Sequence, residues 1–447
     1  MTNPYPYDVA VIGAGPAGIM AALAAASLGA RVLLLESQKR LGGNIMVSGN
    51  GRCNLSNSQI NAQSSDYTRR YRNGRFAHEI LQSYDSAWLQ KLFASWGLAF
   101  SDQDGWLFPV TRYAGSVLET LTRELERSKV TVRTACPVQT LRKTAEGFEI
   151  VSMALPAPGQ QIPAPGQQSP APGHAGQSQF FSRTVVLACN VRGMPIDTLT
   201  QLTGIYQPLQ PVLCPLHLTG PGQAKTELKA LDGLRVNCRL RLLRQEALIH
   251  SEFGEVLFRG YGLSGIVTFN ASRYAQAGDE VSLDFRSAWT EEDNGVWGGA
   301  ERSPEIAESL LNVRSRYPQQ SSDTLFDGRL RRALGKLILL RAGIEAERKI
   351  ADISDAELQS LVRLCADFRW RLSGSPFHRQ QAQVQRGGVP VGGLQAKTLE
   401  SRQTAGLFAA GELVDVDGPC GGYNLHWAWA SGWAAGLAAS QAAKEAG

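Results

Sequence analysis

The short, mostly apolar run DVAVI (Asp8–Ile12) ends in Gly13-Ala14-Gly15-Pro16-Ala17-Gly18 and passes directly into the Ala-rich stretch IMAALAAASLG. No other feature restricts the fold of this chain as strongly. Strand, glycine turn, helix and the second strand RVLLLE follow within about thirty residues, the length of one βαβ unit. In that setting G-x-G-x-x-G has a mechanical reading. Gly13 makes the tight turn, Gly15 lets backbone approach a pyrophosphate, and Gly18 lets the helix pack closely. Ala14 and Ala17 of the same turn are grouped with the glycines as cofactor-binding residues. The helix start offers free N–H groups and the positive end of its dipole to phosphate. Glu36 ends the second strand, 18 residues after Gly18. A carboxylate there can accept both ribose hydroxyls and repels a 2′-phosphate. Ser37 and Arg40, just beyond it, are grouped with the same adenosine end.

A second glycine turn lies near the other end of the chain. GLFAAGELVD closes a strand with a small-residue turn at Gly411 and Glu412, and GGYNLHWAWASGWAAG starts a helix at Gly421-Gly422. Two helix N-termini can hold the two halves of one extended cofactor. The first takes the pyrophosphate. The second can face the pyrimidine end of an isoalloxazine, where its dipole favours the anionic reduced ring. This arrangement points to FAD. Glu412 would reach a ribityl hydroxyl, and the helix start at Gly421-Gly422 would face the ring.

Between the turns, SGNGRCNLSN (Ser48–Asn57) has neither helical nor strand periodicity. Placed just past Glu36, it can run from the ribose end towards the ring. Gly49 and Gly51 would let amides approach the flavin, with Arg52 near a phosphate or a substrate anion. Cys53 is either a small residue packed against the ring or a thiol that protonates substrate, and Cys420 has the same two readings. Cys53 and Tyr423 are the candidate proton donors. His426, beside two tryptophans, reads more readily as packed or solvated. No His/Cys/Asp cluster has metal-ligand spacing, and GxSxG is absent.

The remaining chain sets the organisation. With 447 residues, 43% of them hydrophobic, two or three domains are expected. Seven scattered cysteines without CxxC spacing suit a reducing cytoplasm rather than a disulfide framework. No segment reads as a signal peptide or a membrane span. Residues 76–98 carry a helical apolar stripe. Three PAPG repeats mark 155–179 as a flexible insert on a hairpin tip. Short strand signals fill 205–295, including GIVTFNA, and suggest an antiparallel sheet or barrel. Helical periodicity fills 300–375. The expected division is therefore 1–200 and 380–447 for the cofactor domain, 205–295 for a β-rich domain and 300–375 for a small helical domain. In class terms this is α/β, a Rossmann-like FAD-binding domain interrupted by a β-rich, barrel-like domain and a helical one. Two basic groups, Arg69–Arg75 interleaved with aromatics and Arg329/Arg331/Arg332/Lys336, read either as solvated helix faces or as nucleic-acid contacts.

DVAVIGAGPAG, SGNGRCNLSN, GEVLFRGYGLSG and TLESRQTAGLFAAGELVDVDGPCGGYNLHWAWASG together resemble the BaiN/RdsA-type bacterial flavoproteins, NAD(P)/FAD-dependent oxidoreductases also called the aminoacetone oxidase family. The resemblance covers most of the chain. It implies the discontinuous FAD domain, and it assigns Val138 to the backbone position that meets adenine and Glu412 with Gly422, Tyr423, Asn424 and Leu425 to the flavin end. It also implies reduction of a conjugated C=C, in a steroid-like enone ring or in a ribosomal RNA uridine. The partners implied are thus a small-molecule substrate or RNA, with no membrane and no metal, and NADH or NADPH as electron donor. No second complete GxGxxG unit is evident, so nicotinamide is expected on the same face as substrate. In one departure from the family, VVLA runs into Cys189-Asn190-Val191-Arg192-Gly193 where the family has a Thr-Gly-Gly turn and a glycine-rich loop. The short, glycine-poor segment 189–216 bears on access and substrate, and leaves open a non-catalytic FAD-bound partner or sensor.

Overall fold

The computed structural model describes residues 5–153, 177–189, 196–219, 224–289 and 304–446. The chain forms two compact units, residues 1–210 with 385–447, and residues 211–384.

The first unit is built on a parallel sheet. Tyr7–Ile12 is central, with Val32–Leu35 on one side and Gln177–Leu187 on the other. Thr131–Arg133 extends it beyond Val32–Leu35, and Leu407–Ala409 adds to Gln177–Leu187. VAVI and VLLL are buried along their length. A parallel sheet covered on both faces requires such runs rather than alternation. The first half of Gln177–Leu187 turns away into an antiparallel meander with Phe148–Met153 and Val138–Lys143. Met153 pairs with Gln177, so the hairpin flanks of the PAPG insert are strands as expected. The strand begins at Gln177, inside the 155–179 expected for the insert. The repeats themselves lie outside the described residues.

The stripe at 76–98 is two helices, Gly74–Leu81 and Ser86–Ser95. Asp85 separates them. Its carboxylate accepts from the Trp88 N–H at 2.9 Å, an N-cap that starts a helix rather than continuing one.

The second unit carries a closed barrel of Leu216–Thr219, Gly262–Ser264, Ala247–Arg259, Arg235–Arg244, Glu280–Asp284 and Phe368–Phe377. GIVTFNA, expected as a strand, is the helix Ile266–Ser272. Gly265, at φ +101°, ends the preceding strand, and Thr268 donates to the Ser264 carbonyl at 3.0 Å to anchor the first turn. The helices Pro304–Arg316, Arg332–Arg341 and Asp355–Ala366 follow. Ser354 and Glu357 form a capping box at the last of them. The strand Phe368–Phe377 then returns to close the barrel. The described strands of this unit and the helices Pro304–Arg316, Arg332–Arg341 and Asp355–Ala366 share one apolar core, running from Leu240 and Phe258 to Ile338 and Leu361. That common core makes them one compact unit.

Candidate functional site

The first glycine turn separates its three glycines by physical need. A side chain on Gly13, at φ +100°, would put Cβ 2.6 Å from the Ala188 carbonyl oxygen. A Cβ on Gly18 would lie 1.7 Å from the Gly13 carbonyl oxygen. Both are demanded by the protein's own packing. Gly15 is different: it has an ordinary extended backbone (φ −76°), and a Cβ there meets nothing within 4 Å. The space a side chain would fill is open, directly at the N-terminus of the helix Pro16–Ser27. That helix has no side-chain cap and no acidic residue in its first turn. The cradle fits a diphosphate.

Glu36 is held in place beside it. Its carboxylate accepts from the Ala14 N–H at 2.7 Å and the Gln38 N–H at 2.8 Å, and the Ser37 hydroxyl lies 3.2 Å away. The Cys136 N–H donates to the Glu36 carbonyl at 2.9 Å, so the run leading to Val138 starts beside Glu36. Val138 itself is buried and paired with Ser152. Arg40 is exposed.

The last helix, Tyr423–Glu445, packs on the first through small residues. A Cβ on Gly432 would lie 2.2 Å from the Ala17 carbonyl oxygen, and one on Gly436 would lie 2.2 Å from that of Ala21. The order of these contacts makes the two helices parallel. More of the last helix precedes the crossing, so its N-terminus stands about 12 Å ahead of the first, at 1.5 Å per residue. Two uncapped positive ends therefore point the same way with an offset suited to a diphosphate and a distant ring. Gly411 (φ +69°) sits between the helices, its Cβ position 2.7 Å from that of Ala17. Its N–H donates to the Ser431 hydroxyl, and its carbonyl accepts from the Trp427 indole. Glu412 accepts from the Gln385 N–H at 2.6 Å, and burial raises its carboxyl.

SGNGRCNLSN spans the two turns. Just before it, the Gly42 N–H donates to the Ala14 carbonyl at 2.9 Å. At its far end, the Asn57 amide donates to the Gly421 carbonyl at 2.9 Å. Asn54, with its amide oriented to satisfy both ends, donates to Ser56 and Leu107 carbonyls and accepts from the Gly422 N–H. Gly422, at φ +92°, has no room for a side chain, since its Cβ would stand 2.3 Å from the Ser56 carbonyl oxygen. Trp106 covers Gly421, its indole 3.0 Å from that residue's Cβ position. Gly51 adopts φ +80°, and Arg52 lies exposed over the Phe108 ring.

The candidate proton donors are packing residues. Cys53 is fully buried in the apolar core, and burial pushes its thiol up to about 12. The Tyr423 hydroxyl donates to Gln59 Oε1 at 3.0 Å, its ring is buried, and its carbonyl accepts from Tyr71. Asn424 spends its side chain on Gly418 and Pro419. Leu425 is half-buried against the core. Of the first basic group, Arg72 is paired with Asp415 at 3.1 Å and Arg70 stacks on Tyr423, while Arg69, Arg70, Arg72 and Arg75 are all exposed. In the second, Arg332 and Lys336 pair with Asp323. Residues 190–195 of the departing segment lie outside the described residues. Among the described residues, no helix is long and apolar enough to cross a membrane and no cluster could hold a metal ion.

His426 has a structural task. Its Nε2–H donates to the Tyr84 carbonyl at 2.8 Å, so Nδ1 accepts from the Ser56 hydroxyl at 2.8 Å. Burial holds the imidazole at about 4. The unfolded ring titrates near 6.5, so the unfolded chain takes up the proton first as pH falls. The stability this ring contributes is fully present above about 6.5 and is lost as pH falls towards about 4. The unfolding free energy is expected to be about 2 kcal/mol smaller at pH 5 than at pH 8 from this ring alone. Urea titrations of wild type and His426→Gln across that range test it, and an equally steep pH dependence in the variant would refute it.

Comparison with known proteins places these features in a family. Residues 7–438 match the model described as HI0933-like protein Rossmann domain. The 3-dehydro-bile acid delta(4,6)-reductase of Clostridium scindens is 30% identical over 95% of this chain and 97% of its own length. The ribosomal RNA dihydrouridine synthase of Escherichia coli is 29% identical over 95% of this chain and 96% of its own. Among solved structures, a flavocytochrome c3 fumarate reductase superposes with a TM-score of 0.46 at 14% identity, over 99% of this chain and 79% of that one.

Proposed function

The chain belongs to the HI0933-like Rossmann-domain family, and from that premise we propose that it is an FAD-dependent oxidoreductase that uses NADH or NADPH to reduce a conjugated C=C in a cyclic substrate. The observation that carries the reading is the pair of parallel, uncapped helix N-termini, with open space at Gly15 under the first of them. Full-length similarity to two curated reductive enzymes supports the same reaction class.

Bound FAD supplies the hydride chemistry. The protein's part is to hold and orient. The first-turn amides of Pro16–Ser27 and the space at Gly15 would take the diphosphate, Glu36 the adenosine ribose, and Glu412 a ribityl hydroxyl. Gly421, Gly422 and the N-terminus of Tyr423–Glu445 would face the ring with positive potential, which favours negative charge gained on reduction. With Cys53 and Tyr423 both buried, the proton for the second carbon would come from solvent or from another exposed group. A small-molecule substrate is preferred over RNA, because Arg70 and Arg72 of the basic run are engaged within the fold. Seven free thiols suit a reducing cytoplasm.

Rapid mixing of the purified yellow protein with NADH and with NADPH tests the reading. Loss of the flavin band near 450 nm with at least one donor is expected, followed by its return when a conjugated enone is added. No bleaching with either donor would refute it.

A further inference from the structure

We infer that Arg52 and Arg112 form a clamp for an oxyanion carried by the substrate, and that this substrate is a small organic anion with an apolar body. The inference rests on the reductase reading above and adds the residues that select the substrate.

Phe108, in the strand Trp106–Pro109, is nearly buried, and two guanidinium groups converge on its ring, each 5.5 Å from the centroid. Among the described residues neither arginine faces a carboxylate, whereas Arg72, Arg341 and Arg386 pair with Asp415, Glu227 and Asp417. A guanidinium fork matches the geometry of carboxylate or phosphate, and two such groups stacked on one ring offer an anion two charged partners. The backbone supports the arrangement at a cost. Arg112 adopts φ +51°, the left-handed region that non-glycine residues avoid, with its N–H donating to the Pro109 carbonyl at 2.8 Å. Arg52 leaves a loop in which Asn50 and Cys53 are also left-handed.

The position is appropriate for substrate. Side chains alternate along a strand, so Trp106 and Phe108 share a face, about 7 Å apart. Trp106 covers the Gly421 turn. The clamp thus stands one side-chain repeat beyond the turn assigned to the flavin ring. Its surroundings in the chain are apolar and open: Val47 is 75% exposed, Val110 58% and Tyr113 53%. Exposed apolar side chains flanking paired arginines fit a compact amphiphilic anion better than a polynucleotide, which would need a longer basic track.

Calorimetric titration of the FAD-loaded full chain tests this without any turnover. The probes are cholate, its neutral methyl ester, and a short single-stranded oligoribonucleotide. Cholate is expected to bind about tenfold or more tightly than the ester, reflecting charge-assisted bidentate contacts. The difference should vanish in Arg52→Gln/Arg112→Gln and return in part in Arg52→Lys/Arg112→Lys, with circular dichroism confirming the fold. Equal binding of acid and ester, or an unchanged preference in the Gln variant, would overturn the clamp. Loss of bound FAD in that variant would put Arg52 on the cofactor and overturn the substrate assignment. Arginine-dependent binding of the oligoribonucleotide without binding of cholate would overturn the small-anion choice. Failure of NADH and NADPH to bleach the wild-type flavin would count against the reductase reading alone.

Discussion

Replacing Gly15 by valine is expected to give a folded, colourless protein. Gly15 has a backbone conformation open to any residue, and its Cβ position is free of neighbours. The protein alone therefore loses little, about 1 kcal/mol for a poorer N-cap. The valine side chain instead occupies the space where a diphosphate would lie against the helix start. FAD affinity should fall at least ~100-fold, about 2.8 kcal/mol. Gly18→Ala gives the opposite pattern. Its Cβ would collide with the Gly13 carbonyl oxygen at 1.7 Å, so the turn itself must deform. Flavin absorbance per polypeptide, together with thermal melting of the apoproteins, separates the two. A Gly15→Val protein that purifies with stoichiometric FAD would refute the assignment of this turn.

The second large effect is expected at the helix crossing. Valine at Gly432 would drive a branched side chain into the Ala17 backbone, where even a Cβ stands 2.2 Å from the carbonyl oxygen. Neither backbone can retreat, because the first helix is buried from Pro16 to Ala25 and the last is held by Trp427 and Trp429, each hydrogen-bonded to backbone. Overpacking at such a contact costs about 3 kcal/mol or more. The variant should unfold at distinctly lower urea concentration and hold FAD weakly, because separating the helices moves one N-terminus relative to the other. Gly15→Val and Gly432→Val thus differ in a measurable way: the first loses cofactor with stability kept, the second loses both. Wild-type stability in Gly432→Val would contradict the close crossing.

The two glycine turns were legible in the sequence because their demands are local. Tight turns, helix starts and a carboxylate at a strand end leave marks within a few residues. So did the hairpin around the PAPG insert. The errors came where contacts between distant segments decide. GIVTFNA carries β-branched residues that suit a strand, yet Gly265 redirects the chain and the barrel completes itself with Phe368–Phe377, about a hundred residues later. Cys53 was open to two readings from its glycine-rich neighbours, packed or reactive, because its burial is decided by core packing. The covering of Gly421 by Trp106, and the meeting of Arg52 with Arg112 over Phe108, join segments far apart in sequence and have no local signature. Asp85 was readable in principle: an Asp three residues before Trp88, inside an apolar stripe, is an N-cap signal.

The crossing of the first and last helices also sets a timetable for biosynthesis. The first helix leaves the ribosome early, and its partner follows only after nearly all the intervening chain has been made. At 5–20 residues per second the wait is about 20 to 80 seconds. During that time the first helix lacks the cover that the last helix gives it, a condition that favours chaperone capture or aggregation. Flavin capture must then be a late event, following emergence of the helix Tyr423–Glu445. Ribosome-tethered chains stalled before Tyr423 should therefore be unable to retain FAD however much is supplied.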